Sequence, residues 1–299
     1  MTGASLLPPI IDTHTHLDDE AFRIDQDAVL HASRAVGVRK FINIGYSPET
    51  WESSRALQSR HQDVDLALGL HPQQAARFTP EMGRDLSRAI VDYGAIAIGE
   101  TGFDFSRSRP NFDEQERAFR GQLEIASREG LPTIIHHREA GRALIAELDR
   151  WPTLAPIVLH SFDGTSELSD WALDRGCYIG IGGLAARRNS KALRALLAEM
   201  PVNRLLLETD SPYLAPPGAD KRNTPVNLPV IATILAPLWN LNGEELCRAS
   251  FANAVELFGI TEGDSVVVAT RDDGTPSASI NHCHFESGKG SRTSGTSAP

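Results

Sequence analysis

Cysteine is scarce in this chain: its 299 residues hold three, Cys177, Cys247 and Cys283, widely spaced and odd in number. That excludes a disulfide framework and fits a reducing, cytoplasmic location. Positive charge is also in short supply. There are 29 Lys and Arg against 39 Asp and Glu, a formal net charge of −10. This argues against a protein that coats nucleic acid through a broad basic surface. It leaves open an enzyme that meets phosphates locally, with metal ions and a few arginines. No apolar run approaches the roughly 20 residues of a membrane helix. The N-terminal MTGASLLPPI lacks the basic start and apolar stretch of a secretory signal. No membrane partner is expected.

Short apolar runs are abundant. PPIIDTH (8–14), VRKFINIG (38–45), DLALGLH (65–71) and AIAIGE (95–100) come first; LPTIIHH (131–137), APIVLH (155–160), CYIGIGG (177–183) and NRLLLETD (203–210) follow. Each carries about four to six β-compatible residues, as strands buried on both faces do. Amphipathic segments lie between them, clearest at 112–129 and 244–258. In the first, Phe112, Gln115, Phe119, Leu123 and Ala126 recur at three- and four-residue spacing, a helical stripe. Eight strands alternating with helices over about 250 residues predict an α/β fold, a (β/α)8 TIM barrel. The rival is a doubly wound open sheet, but no GxGxxG follows the first strand. The glycines of IGIGG (179–183) read as a tight strand-to-loop passage. One barrel domain is expected over 1–260. From about 261 the chain is rich in Ser, Thr, Gly and Asp without a period, so 261–299 reads as a disordered tail. His282, Cys283 and His284 sit in it.

The ends of the runs carry the chemistry. The first ends in His14-Thr15-His16, the third in His71-Pro72 and the fourth in Glu100. The fifth ends in His136-His137, the sixth in His160 and the eighth in Glu208-Thr209-Asp210. Six of the ten histidines stand at these ends. In a parallel barrel they share the C-terminal rim, where barrel enzymes build their sites. Residues two apart on a strand point the same way, so His14 and His16 can bind one cation together. With Glu100, His136, His160 and Asp210 the set reaches six. Six is too many for one tetrahedral zinc. It suits two divalent ions about 4 Å apart that share a carboxylate. Imidazole-rich ligation favours zinc or manganese over calcium, with magnesium not excluded.

The motifs DTHTHLD (12–18), GLHP (69–72), GETGFD (99–104), IIHHREA (134–140), VLHSFDG (158–164), LLLETDSPYLAP (205–216), KRNTPVN (221–227) and FANAVELFG (251–259) occur in this order. The sequence thereby resembles the TatD family of metal-dependent hydrolases and deoxyribonucleases, among the amidohydrolase-like barrels, over about residues 9–260. The resemblance implies that His14, His16 and Asp210 bind the first metal. Glu100 would bridge both ions, and His136 and His160 would complete the second. It also implies that His71, Arg138, Tyr213 and Arg222 hold substrate phosphates. The enzyme would be a monomer that trims DNA, single strands or 3′ ends, from the 3′ end. Two departures bear on substrate preference. The segment after Asp104 reads FSRSRP, with Arg107 and Arg109, where relatives carry an aromatic pair, and Thr15 stands where many have Cys.

In the implied mechanism a metal-activated water attacks phosphorus and Asp210, also counted with Glu100 among the catalytic groups, accepts its proton. No GxSxG is present, which argues against a serine nucleophile. Cleavage of a C–N or carboxylic ester bond, such as an aminoacyl-tRNA link, is the alternative for the same site. Several neighbours keep two readings. Glu208 either orients a metal ligand or pairs with an arginine. Asp12 either orients a histidine or caps the following loop. Arg138 meets either phosphate or a carboxylate such as Glu139. Asp18 is expected beside the ligands, outside the set.

Overall fold

The computed structural model describes residues 8–106 and 112–260. Arg107 and Arg109, and the tail with its His282–His284 cluster, lie outside the described residues.

All eight expected strands are present: β1 Ile10–Thr15, β2 Val38–Gly45, β3 Val64–Leu68, β4 Ala97–Asp104, β5 Thr133–Arg138, β6 Ile157–Leu159, β7 Tyr178–Ile181 and β8 Leu205–Leu207. Each pairs in parallel with the next, in sequence order. A parallel bridge between Thr15 and Ser211 brings the last strand's exit back to the first. The His16 amide donates to the Ser211 carbonyl at 2.8 Å and the Asp210 amide to the His14 carbonyl at 2.9 Å. The result is the nearly closed (β/α)8 barrel that the alternation predicts. None of the described helices is long and apolar enough to cross a membrane.

Local signals fix the helix ends. The helix Pro48–Arg60 opens on a Ser47/Thr50 capping box with proline in its first turn. The expected helix at 112–129 is observed as Phe112–Glu129. The last, Gly243–Phe258, starts on an Asn242/Glu245 capping box and stops at Gly259, φ +63°, the left-handed conformation that glycine adopts without a Cβ penalty.

Two apolar layers follow from the period-two alternation of the strands. Outward residues such as Ile10, Phe41, Ile98, Ile135, Leu159 and Leu205 pack under the helices. Inward residues Ile11, Ile42, Ile44, Ala67, Ala97, Ile134, Val158, Tyr178 and Leu206 fill the barrel, joined by Ala254, Leu257 and Phe258 of the last helix. Each fully buried aliphatic side chain contributes about 1.5–3 kcal/mol.

Candidate metal centre

Alternation alone delivers half of the polar rim. Ile134, Val158 and Leu206 face the barrel interior, so His136, His160, Glu208 and Asp210 face it too, two or four residues on. On β1 and β4 the same count fails. Ile11 and Ala97 face inward, which would turn His14, His16 and Glu100 outward. The register of β1 on β2 breaks between Asp12 and Thr15, and that of β4 on β5 breaks between Ile98 and Thr101. Each break resets the phase just before an expected ligand, a common use of β-bulges. Glycine makes the second one possible. Gly99 (φ +147°) and Gly102 (φ +136°) flank Glu100, and a Cβ on them would lie 2.5 Å from the Ile134 carbonyl oxygen and 2.1 Å from that of His136.

The six expected ligands converge. Glu100 Oε2 lies 3.6 Å from His14 Nε2. Its other oxygen, Oε1, lies 2.6 Å from His136 Nδ1 and 3.5 Å from His160 Nε2. Asp210 Oδ1 is 3.3 Å from His16 Nε2 and 3.9 Å from His14 Nε2. The His14 and His160 rings stack with centroids 3.5 Å apart. Three overlapping groups have donor atoms close enough to share an ion: His14, His160 and Asp210; His14, His16 and Glu100; His71, Glu100 and His136. His71 therefore sits closer to the ligands than a residue reserved for substrate phosphate would need to. The donor set fits divalent cations. His14 is fully buried, and neither of its ring nitrogens has a hydrogen-bond partner among the described residues. A buried orphan of that kind is costly unless something electropositive meets it.

Outer partners orient the rings. His16 Nδ1 faces the Ile44 carbonyl at 3.3 Å, leaving Nε2 for the cluster. Glu208 Oε1 lies 3.0 Å from His160 Nδ1 and accepts the Ser161 amide at 2.6 Å, so it orients a histidine and meets no arginine among the described residues. The IGIGG glycines make room for it. A Cβ on Gly180 would lie 2.2 Å from the Glu208 carboxylate, and one on Gly182 would lie 2.8 Å from the Glu208 carbonyl oxygen. Of its two expected roles Asp12 takes the local cap, accepting the His14 amide at 3.4 Å; it also accepts the Thr209 amide at 2.9 Å and hydroxyl at 2.6 Å, and so ties β1 to the exit of β8. Asp18 accepts from Asn43, Ser53 and Ser54, beside the ligands as expected. Sequence reasoning passed over Asp104, whose Oδ2 lies 3.3 Å from His136 Nε2 and accepts from Gln73 at 3.0 Å. Its signal was its place at the end of the GETGFD motif. Tyr46 was also missed; its ring meets that of His16 edge-on at 5.3 Å.

The carboxylates set the protonation of the rings. Burial disfavours the charged form of His160, but Glu208 and Glu100 outweigh it and push its pKa up to about 10. His136 is likewise burdened by burial, yet Glu100 and Asp104 raise it to about 9. Burial, aided by the neighbouring His160, lowers that of His14. Burial opposes ionisation of Glu100 and Asp210, but the surrounding imidazoles hold both below the ordinary carboxylate range.

Of the residues expected to meet substrate, His71, Arg138 and Tyr213 line the cavity of about 370 Å³ over the cluster. Arg138 is exposed at its mouth. Tyr213 is half exposed, and its hydroxyl donates to Asp19 at 3.2 Å. Arg222 is placed elsewhere: its guanidinium forks onto Asp25 at 2.8 and 2.6 Å and lies over the Phe22 ring.

Known proteins resemble this chain in sequence and fold. The family model described as TatD related DNase matches residues 11–259. The 3′-5′ ssDNA/RNA exonuclease TatD of Cronobacter turicensis is 36% identical over 256 residues, covering 83% of this chain and 97% of that protein. The uncharacterized metal-dependent hydrolase YabD of Bacillus subtilis is 29% identical, covering 84% of this chain and 99% of its own. Among solved structures, the TatD homolog YJJV from Escherichia coli superposes with a TM-score of 0.80 at 29% identity, covering 86% of this chain and all of that one. With the motifs in order, the barrel formed and the ligands converging, the chain belongs to the TatD-related DNase family and is a metal-dependent hydrolase of that type.

Proposed function

We propose that the chain is a 3′-5′ exonuclease that releases mononucleotides from single-stranded DNA ends and works as a monomer, since every proposed ligand comes from one chain. It would hold two divalent ions, zinc, manganese or magnesium: one on His14, His16 and Asp210, the other on His136 and His160, with Glu100 serving both. The observation that carries this reading is the split of Glu100, whose Oε2 faces His14 while Oε1 faces His136 and His160. The hydrolase domain would span residues 1–260, since the family match stops at 259.

When bound, such ions supply a water acidic enough to ionise near neutral pH and positive charge for the phosphate. The chain's own groups do the rest. Asp210 is held ionised by its histidines, so it can take the proton of the attacking water. Its backbone (φ +56°) is in the left-handed region, uncommon for a non-glycine residue and typical of sites where geometry outranks local comfort. His71 Nδ1 accepts the Gln73 amide at 3.1 Å; the proton therefore sits on Nε2, which points at Glu100 and into the cavity. Arg138 supplies charge for the phosphate oxygens at the cavity mouth.

The test is to incubate the metal-loaded protein with 3′-end-labelled single-stranded DNA. Released mononucleotides, abolished by a chelator and restored by a divalent cation, are expected. Intact DNA alongside hydrolysis of an aminoacyl ester would overturn the reading.

A further inference from the structure

The cavity over the ligands has a twin. A second cavity, of about 350 Å³, shares His136, Arg138, His160, Asp210 and Tyr213 with the first. From that common floor the first runs toward Tyr46, Gln73 and Gln74, after β2 and β3. The second runs toward Ser161, Leu184, Arg187 and Leu214, after β6, β7 and β8. Two lobes meeting over one reactive centre are what a phosphodiester flanked by two nucleotides requires.

The second lobe has the chemistry of a nucleotide site. Its arginines, Arg138 and half-buried Arg187, make no side-chain hydrogen bond or ion pair with any described residue. Arg34, Arg77 and Arg222, by contrast, fork onto carboxylates. In so acidic a chain, two guanidinium groups in one cavity without a partner among the described residues call for an anion from outside. The lobe's own carboxylates are already engaged, Asp210 with His16 and Asp163 with His137. Leu184, Leu214 and Tyr213 supply apolar surface for a sugar or base. Ser161 (φ +45°), Asp210 (φ +56°) and Leu214 (φ +51°) all line it in left-handed conformation. No other described non-glycine residues but Glu139 and Asn240 share that conformation.

We propose that this lobe binds the penultimate nucleotide, the one that stays on the strand, with Arg187 gripping its 5′ phosphate. The terminal nucleotide then occupies the lobe beside Tyr46. Hydrolysis adds one water: oxygen bonds to phosphorus, the bond from phosphorus to the penultimate O3′ breaks, and O3′ leaves with a proton. The inference rests on the exonuclease reading above and extends it to a substrate of at least two nucleotides.

Two substrates separate the lobes. Single-stranded oligothymidylate fills both, whereas thymidine 5′-(4-nitrophenyl phosphate) has an aryl group where the penultimate nucleotide would be. In the metal-loaded protein, Arg187→Gln should lower the oligothymidylate-to-aryl-ester ratio of kcat/KM about tenfold. The loss should appear in KM, and Arg187→Lys should recover most of it. The slope of oligothymidylate affinity against salt should also fall by about one. An unchanged ratio, or equal loss on both substrates, would overturn the subsite. If the wild-type protein hydrolysed neither substrate, the exonuclease reading itself would fall, and the subsite with it.

Discussion

The barrel interior has two layers made by the same strands. The deeper one is Ile11, Ile42, Ile44, Ala67, Ala97, Ile134, Val158, Tyr178 and Leu206. The upper one is His14, His16, Glu100, His136, His160, Glu208 and Asp210, all nine-tenths buried except His136 and Asp210. Similar burial has opposite consequences. Apolar burial stabilises the fold in proportion to area. Crowding ionisable groups together costs stability unless each is paired or meets a cation. The deeper layer therefore holds the upper one in a geometry it would not hold by itself.

Substitutions in the two layers should separate these roles. Asp210→Asn should lower kcat about 10²–10⁴-fold and cost the metal-free protein less stability than a core truncation, since only the pairing of the ionised carboxylate with its imidazoles is lost. Leu206→Ala, four residues earlier and within β8, should do the reverse. It should lower stability by about 2–5 kcal/mol and keep most of the activity per folded molecule. Nuclease assays beside thermal denaturation check both. If Asp210→Asn lost stability and kept activity, the division between layers would be wrong.

Cation binding should join the layers energetically. At a hundred times its Kd, a cation that binds only the folded chain adds about 2.7 kcal/mol, so a chelator should lower the thermal midpoint of the wild-type protein and of Leu206→Ala alike. The gain should be strongly reduced in Asp210→Asn. The same binding should depend on pH. With pKa values of about 9 for His136 and about 10 for His160, both rings carry a proton at neutral pH. A cation needs them neutral, so it must displace those protons. Affinity should therefore fall as pH falls, by about ten- to a hundredfold per pH unit for one or two protons released. Calorimetry in buffers of different ionisation enthalpy counts the protons; a count of zero would remove the competition.

Much of both layers was legible in the sequence, for a physical reason. Strand alternation and strand-end polarity are local, so the eight strands, the barrel and the six converging side chains proposed as ligands could be read from short segments. The phase of two strands could not. Counting by twos from Ile11 or Ala97 points His14, His16 and Glu100 at the helices, and only the register breaks turn them inward. Such breaks depend on the neighbouring strand, which no single segment records, although Gly99 and Gly102 on either side of Glu100 were a visible hint. Partner choice was equally hidden. Asp12 meeting Thr209 and Arg222 meeting Asp25 are contacts between residues 197 apart in both cases. Glu208 was read in part: its service to a ligand was one of two expectations, but the glycines that admit it were taken for a turn.

The smallest effect should come from the two adjacent histidines of β5, where the layers differ by one residue. His136 faces Glu100 at 2.6 Å, whereas His137 faces away and meets Asp163 at 3.3 Å. Burial lowers the pKa of His137, against the pull of Asp163; it therefore sits as a neutral ring paired with Asp163 in the wall of the second lobe, outside the proposed ligand set. Replacing it with Gln keeps a donor for Asp163 and should cost about 1 kcal/mol of stability, with kcat within a few-fold of wild type. His136→Gln should instead lower kcat at least about 10²-fold, the usual range for losing a group that acts at the reacting centre, and should weaken cation binding. Paired assays of the two variants, with metal content measured on each, test the alternation itself. Equal losses of metal and activity in both would mean that the inward and outward faces of β5 are not functionally distinct.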